Sequence, residues 1–190
     1  MELQRGVVGD VATLPDLVDA ANDAGVLDAC GRLVTGARKA GVPVVHALVE
    51  WAADRRGTPL NTPLAAALAR NPGQMLEGTA AVEPVPALGD TSGDLRSVRR
   101  HGLTPFTGTD LDALLRSLGT TTVVAIGVSL NVGMLGLCLN AADLGYRVVV
   151  PTDATVGVPG EYGAQVLQHS LAPVATLTTT TALLENWQAS

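Results

Sequence analysis

Apolar positions along this chain recur with two periods, and the change from one to the other is sharpest near residue 128. Residues 121–128 (TTVVAIGV) are a β-branched apolar run of the kind that forms a buried strand, whereas 131–145 (NVGMLGLCLNAADLG) repeat with a helical period. The same pairing recurs on either side. Over 26–40, Val26, Leu27, Cys30, Leu33, Val34 and Ala37 fall on one helical face; Gly41 ends the pattern and 43–49 follows as a strand. Residues 62–70 read as a short helix with Pro63 in its first turn. Thr109 caps a helix over 110–118, with acids in the first turn and Arg116 in the last. Strand 146–151, helix 160–173, a short strand near 174–178 and a last helix opened by Thr180 and running to Trp187 complete the series. Strands and helices alternating through short connections predict an α/β fold, its mainly parallel sheet covered by helices on both faces.

Two stretches break the pattern. Between 71 and 97 regularity fades into Gly, Pro and acidic residues. So long an irregular stretch in a compact domain is either surface filler or the rim of a site, and the sequence leaves both open. Residues 1–6 (MELQRG) arrive with no strand ahead of them, although the first strand of a doubly wound sheet is normally central. Either the chain starts late or the sheet is smaller than usual.

At 190 residues the chain reads as a single domain over 1–190, long enough to bury roughly two-thirds of the surface that its unfolded form exposes. With 47% hydrophobic residues but only 3% aromatic ones, the core must be built from Val, Leu and Ala. A formal charge of −6 and the lack of a long basic run argue against nucleic acid or an anionic membrane as partner. Nothing resembles a signal peptide, and no apolar stretch approaches the ~20 residues of a membrane-spanning helix. The two cysteines, Cys30 and Cys138, lie in helical patterns and read as reduced thiols of a cytoplasmic protein. The apolar excess implies a surface covered by another subunit, with 177–187 and 71–97 as candidate interfaces.

A strand that enters a helix through so short a turn as 127–133 (GVSLNVG) directs backbone N–H groups at one point, a place for an anion or a developing oxyanion. The run 127–150 (GVSLNVGMLGLCLNAADLGYRVVV) resembles the signature of the isochorismatase-like superfamily, also called cysteine hydrolases. Residues 106–111 (FTGTDL) resemble that family's Phe-x-Gly-Thr-x-Leu segment, 41–46 (GVPVVH) its second strand, and 2–6 (ELQRG) the end of its first. The resemblance covers nearly the whole chain in order. It implies a three-layer α-β-α sandwich with a six-stranded parallel sheet, its first strand cut short at the N-terminus, and a homodimer or homotetramer. It further implies a small-molecule pocket at the carboxyl ends of the strands and a cis peptide near Val128-Ser129. The family's triad is an Asp closing the first strand, a Lys ahead of the Phe-x-Gly-Thr segment and a Cys early in the signature helix. Carried over by position, these fall on Glu2, Arg100 and Gly133, and all three depart from the pattern.

Gly133 cannot attack a carbonyl, so amide hydrolysis through a thioester loses its central step. Cys138, five residues further along a helix, points about 140° away and does not replace it. Family members that hydrolyse isochorismate imply another route, in which an acid protonates a vinyl ether and no covalent intermediate forms. Glu2 would serve as that acid where burial disfavours its charged form, although its extra methylene displaces the carboxyl by about 1 Å. Arg100 would stay protonated and clamp a substrate carboxylate. Ser129, Leu130, Asn131 and Val132, with His46 and Phe106, would complete the substrate-binding wall. The plainer alternative makes Glu2 a solvated terminal acid, Arg100 a surface base in the run Arg99-Arg100-His101, and His46 a core histidine. No cofactor is implied, and no metal either, because His46, Glu50 and Asp54 lack a second nearby His. Gly127-Val128-Ser129, with Asp153 and His169 following, has the order of a serine hydrolase. Asn131 nevertheless replaces the second glycine of that motif, and His169 falls within a helix. Two function classes remain: a hydrolase acting on a small anionic metabolite by acid–base chemistry, or a catalytically inactive ligand-binding or assembly protein. A cavity that joins the acid to the base favours the first or a ligand-binding protein, and a plugged one favours a scaffold.

Overall fold

A computed structural model describes residues 1–189. Its strands are short and all paired in parallel. β1 (Val45–Val49) runs beside β2 (Leu95–Arg99) in the register Val45↔Leu95 to Val49↔Arg99. β3 (Thr122–Val124), β4 (Arg147–Pro151) and β5 (Thr176–Thr178) form a second group in that order. What joins the two groups is the N-terminus. Glu2 N–H donates to Ala47 O (3.0 Å), and Val128 N–H donates to Met1 O (3.1 Å). The Met1 ammonium donates to Ile126 O at 2.5 Å. Met1 and Glu2 thus occupy the central strand position, and ahead of them lies an apolar slot of about 210 Å³ between Val45 and Ala47 on one side and Val123 and Ala125 on the other. Burial pushes the Met1 α-amino group below its usual range.

Helices cover both faces. α1 (Arg5–Val8), α2 (Pro15–Asp23) and α3 (Val26–Lys39) share a core with Leu88, Val49 and Val128. The C-terminal helix α8 (Thr180–Gln188) packs on it through Leu183, Leu184 and Trp187, each of which stays partly exposed. A second core gathers α5 (Leu111–Ser117), α6 (Leu135–Asp143) and β4 around Met134, Cys138 and Val150. Burial raises both Cys30 and Cys138 to about 12, leaving them unreactive thiols at neutral pH.

Other expectations change in detail. The helix expected over 131–145 opens as a wide π turn, Leu130–Met134, before α6 begins; that over 160–173 is α7 (Gly160–Gln165) followed by a second π turn, Val166–Leu171. Thr109 does accept from Leu111 N–H (3.2 Å), while Asp110 receives the Ser97 hydroxyl at 2.6 Å. The irregular stretch is neither loose filler nor only a rim. Short turns at Ala80–Val82 and Pro86–Leu88 bury Ala81, Val82, Val85 and Leu88, and its far end leads into β2. Near Thr62, which caps α4 (Pro63–Leu68) by accepting from Ala65 N–H, the helix buries none of its residues.

Candidate functional site

The turn after β3 depends on Gly127. Its φ is +112°, and a Cβ there would stand 2.1 Å from the Met1 carbonyl oxygen. The Val128-Ser129 peptide is cis. The turn's backbone donors are largely spent inside the fold: Leu130 N–H goes to Val156 O (2.8 Å), and Val132 and Met134 N–H both go to Ser129 O. The Ser129 hydroxyl donates to Asn131 Oδ1 (2.6 Å), whose amide donates to Val158 O (3.1 Å). A serine-hydrolase arrangement is not formed, because Asp153 accepts from Thr180 N–H and His169 is exposed.

Charge enters the site from the other side. β2 alternates so that Ser97 and Arg99 face inward, and Arg99 meets the carboxylate of Glu2 in an ion pair. Only 7% of the Arg99 side chain and 14% of the Glu2 side chain remain exposed. Arg99 Nε donates to Gly102 O (3.2 Å), while its Nη1 is buried with no hydrogen-bond partner. Glu2 is anchored on both flanks: its own N–H binds β1, and Gln4, wholly buried, ties the next turn to the same strand. Gln4 Nε2 donates to Val49 O (3.0 Å) and Val82 O (2.9 Å), and Val49 N–H donates to Gln4 Oε1 (2.9 Å).

The pair forms the floor of a cavity of about 340 Å³ that also reaches Ser129, Asn131, Val132 and Gly133. Its walls are apolar, with Trp51, Leu14, Leu64, Leu68 and Val158 prominent. A Cβ on Gly133 would lie 2.6 Å from Met1 Cε, the flexible end of a side chain that would have to shift to admit it. The wall carrying α4 is clamped by Arg55. Its guanidinium donates to Ala69 O, Asn71 O and Pro72 O and lies 5.3 Å from the centre of the Trp51 ring. Among the described residues, the non-glycine positions with positive φ are Glu2 (+52°), Arg55 (+58°) and Met75 (+48°). Glu2 and Met75 line this cavity, and Arg55 stacks on its Trp51 wall.

Four expected site residues stand elsewhere. Arg100, one step past Arg99, points to the opposite side and pairs at the surface with Glu77 Oε2 (2.7 Å). His46 lies on β1 facing the slot, its Nε2 2.7 Å from Asp94 Oδ2, which Arg38 also holds. Burial pushes His46 below the usual imidazole range despite that carboxylate. Phe106 lines the same slot and stacks on Tyr146, with ring centres 6.2 Å apart. Leu130 is buried in the second core. The residue that sequence reasoning passed over is Arg99, which ends a strand whose sequence, LRSVR, carries no apolar alternation to mark it. Among the described residues, no three His, Cys, Asp or Glu side chains converge to hold a metal ion, and no helix is long and apolar enough to cross a membrane.

Comparison with known proteins identifies the fold and the family. Residues 2–182 match the isochorismatase domain family. An uncharacterized isochorismatase family protein of Escherichia coli O157:H7, YecD, is 30% identical over 175 residues, covering 92% of this chain and 87% of that one. Among solved structures, an isochorismatase family protein from Desulfovibrio vulgaris superimposes with a TM-score of 0.80 at 24% identity, covering 100% of this chain and 95% of the other. The N-carbamoylsarcosine amidase of Thermoplasma acidophilum does so with a TM-score of 0.71 at 22% identity, covering 94% and 92%. The two structures speak for a shared fold. The family match runs over nearly the whole chain, and on that ground the chain belongs to the isochorismatase family.

Proposed function

We propose that this protein hydrolyses a small anionic metabolite by acid–base chemistry, with Glu2 as general acid and no covalent intermediate. The observation that carries the reading is the buried Glu2–Arg99 pair on the floor of an open cavity, opposite a Gly133 that offers no nucleophile. Arg99 takes the anchoring role first given to Arg100, because a guanidinium stays protonated and binds a carboxylate without relaying protons. The clustering of strained backbone at Glu2, Arg55 and Met75 around one cavity supports a working site over a plugged scaffold. In the same reading the protein is a cytoplasmic homo-oligomer, with the exposed Leu118, Leu139 and Leu144 available for a subunit contact.

A second reading, a ligand-binding protein that turns nothing over, draws on the same ion pair, since a neighbouring cation favours the ionised form of a carboxyl, which has no proton to give. Incubation with isochorismate and a panel of small amides and esters, followed by mass spectrometry, separates the two. Turnover that disappears in Glu2→Gln supports acid catalysis. Equal turnover in both proteins removes Glu2 from the mechanism, and no turnover with a ligand-induced rise in melting temperature favours the binding protein.

A further inference from the structure

The Met1 nitrogen holds too many protons for its place in the sheet. A backbone nitrogen in a strand needs one N–H, and Ile126 O receives one at 2.5 Å. An ammonium carries three, and the other two meet no acceptor among the described residues. The opposite lack lies on the facing strand. Leu95 N–H donates to Val44 O and Glu50 N–H to Arg99 O, so the even-numbered residues of β1 turn their backbone toward β2 and Ala47 turns its own toward Met1. Ala47 O is taken by Glu2 N–H, but Ala47 N–H has no acceptor among the described residues. In a parallel ladder that acceptor is the carbonyl bonded to the Met1 nitrogen. One group thus accounts for surplus donors on one side and a bare donor on the other. Beyond it runs the apolar slot, lined by Val45, Val124, Leu33 and Leu115.

We infer that the Met1 nitrogen is an acylation site, an amide in the working protein. The acyl group leaves one N–H for Ile126 O, sets its carbonyl against Ala47 N–H and lays its apolar body in the slot. It also removes a buried positive charge, which is costly to keep in such surroundings. The groups that bear on that charge are Glu2 beside it, Arg99 on β2, His46 on β1, Cys30 on α3 and Cys138 on α6. With the charge gone, Arg99 alone balances the Glu2 carboxylate. Three sources share this chemistry: the formyl group of an initiator methionine left in place, an acetyl group from a thioester, or a residue ahead of Met1. In acetyl transfer the neutral amine bonds the acyl carbon, the C–S bond breaks and the amine proton leaves with the thiol. The transfer belongs to the nascent chain, because closing the sheet buries Met1. None of this depends on the functional reading above.

Intact mass of the untagged protein, purified from its native cells, reads the modification directly. An excess of about 28 Da assigns a formyl group and about 42 Da an acetyl group, each placed on Met1 by tandem fragmentation. An excess made of amino-acid residues assigns the carbonyl to the polypeptide itself and equally supports the amide. The mass of the free amine overturns the inference. A second measurement tests the physical reason for it. The chain expressed from Met1 with and without a deformylase inhibitor gives the formyl and free-amine forms, and the formyl form should melt about 5 °C or more higher at pH 6. Burial lowers the α-amino group from its ordinary value near 8.0, so below that value the unfolded chain holds a proton that the folded one refuses. The free-amine form should therefore gain stability as pH rises from 6 to 8, and the gap between the two should narrow. Glu2, Arg99, His46, Cys30 and Cys138 are present in both forms, which leaves the amine as the difference. Equal melting temperatures across that range overturn the inference. Neither measurement involves turnover, so a free amine leaves the hydrolase standing, and a protein that turns nothing over leaves the amide standing.

Discussion

Gln4 bears more of the site than its size suggests, and replacing it by Leu measures how much. The side chain is fully buried and makes three hydrogen bonds, two to the Val49 backbone and one to Val82 O. Each is worth about 1 kcal/mol net, and each backbone group left bare in the interior adds to the loss, so Gln4→Leu should destabilise by about 3–5 kcal/mol. For a chain of this length that is a fall in Tm of roughly 10 °C, readable by calorimetry. Gln4→Glu sharpens the test, because it keeps the shape and the bond from Val49 N–H but sets a carboxylate against two carbonyl oxygens. Burial raises the folded pKa of such an acid, so the folded state binds the extra proton and the variant's deficit should shrink as pH falls toward 4. The reasoning is refuted if Gln4→Leu loses less than about 1 kcal/mol, or if the Gln4→Glu deficit does not change with pH.

Two further outcomes follow from contacts already described. Gly127→Ala meets the Met1 backbone oxygen at 2.1 Å and a φ of +112°, and should cost at least about 3 kcal/mol. Gly133→Ala meets only the movable tip of Met1 at 2.6 Å and should cost about 1 kcal/mol; equal losses in urea titrations would contradict the geometry. The His46–Asp94–Arg38 cluster sets a pH response. Burial depresses His46, so below the usual imidazole value of ~6.5 the unfolded chain holds a proton that the folded one refuses, and stability should fall as pH drops from 7. For Asp94, burial opposes the charge but hydrogen bonds from Arg38 and His46 outweigh it and hold the carboxyl below its usual range, a contribution lost as pH falls below about 4. His46→Gln should flatten the first decline and leave the second; an unchanged first decline would assign it elsewhere.

The regular elements were legible because their apolar faces are wide. α3 buries seven positions at helical spacing, and β4 is a β-branched run covered on both sides. β2 was not legible. Its sequence, LRSVR, is polar because it pairs with β1 alone, and an edge strand can carry arginines that a central strand cannot. That omission misplaced the site's cation by one residue, since without the strand there was no alternation to separate the inward Arg99 from the outward Arg100. Glu2 and Gly133 could be located from motif spacing, whereas the apolar walls at Leu14, Leu64 and Leu68 come from segments whose partners lie far away in sequence.

The position of the α-amino group has a practical bearing on how this protein is handled. An affinity tag joined ahead of Met1 would begin inside the molecule, between Val45 and Val123, with its first peptide units competing for backbone partners now facing the slot. The slot there is lined by Leu33, Leu115 and other apolar side chains, surroundings that disfavour the burial of a polyhistidine leader. A tag at the other end, after α8, meets no such constraint, and recombinant protein carrying its tag there keeps the Glu2–Arg99 floor as described.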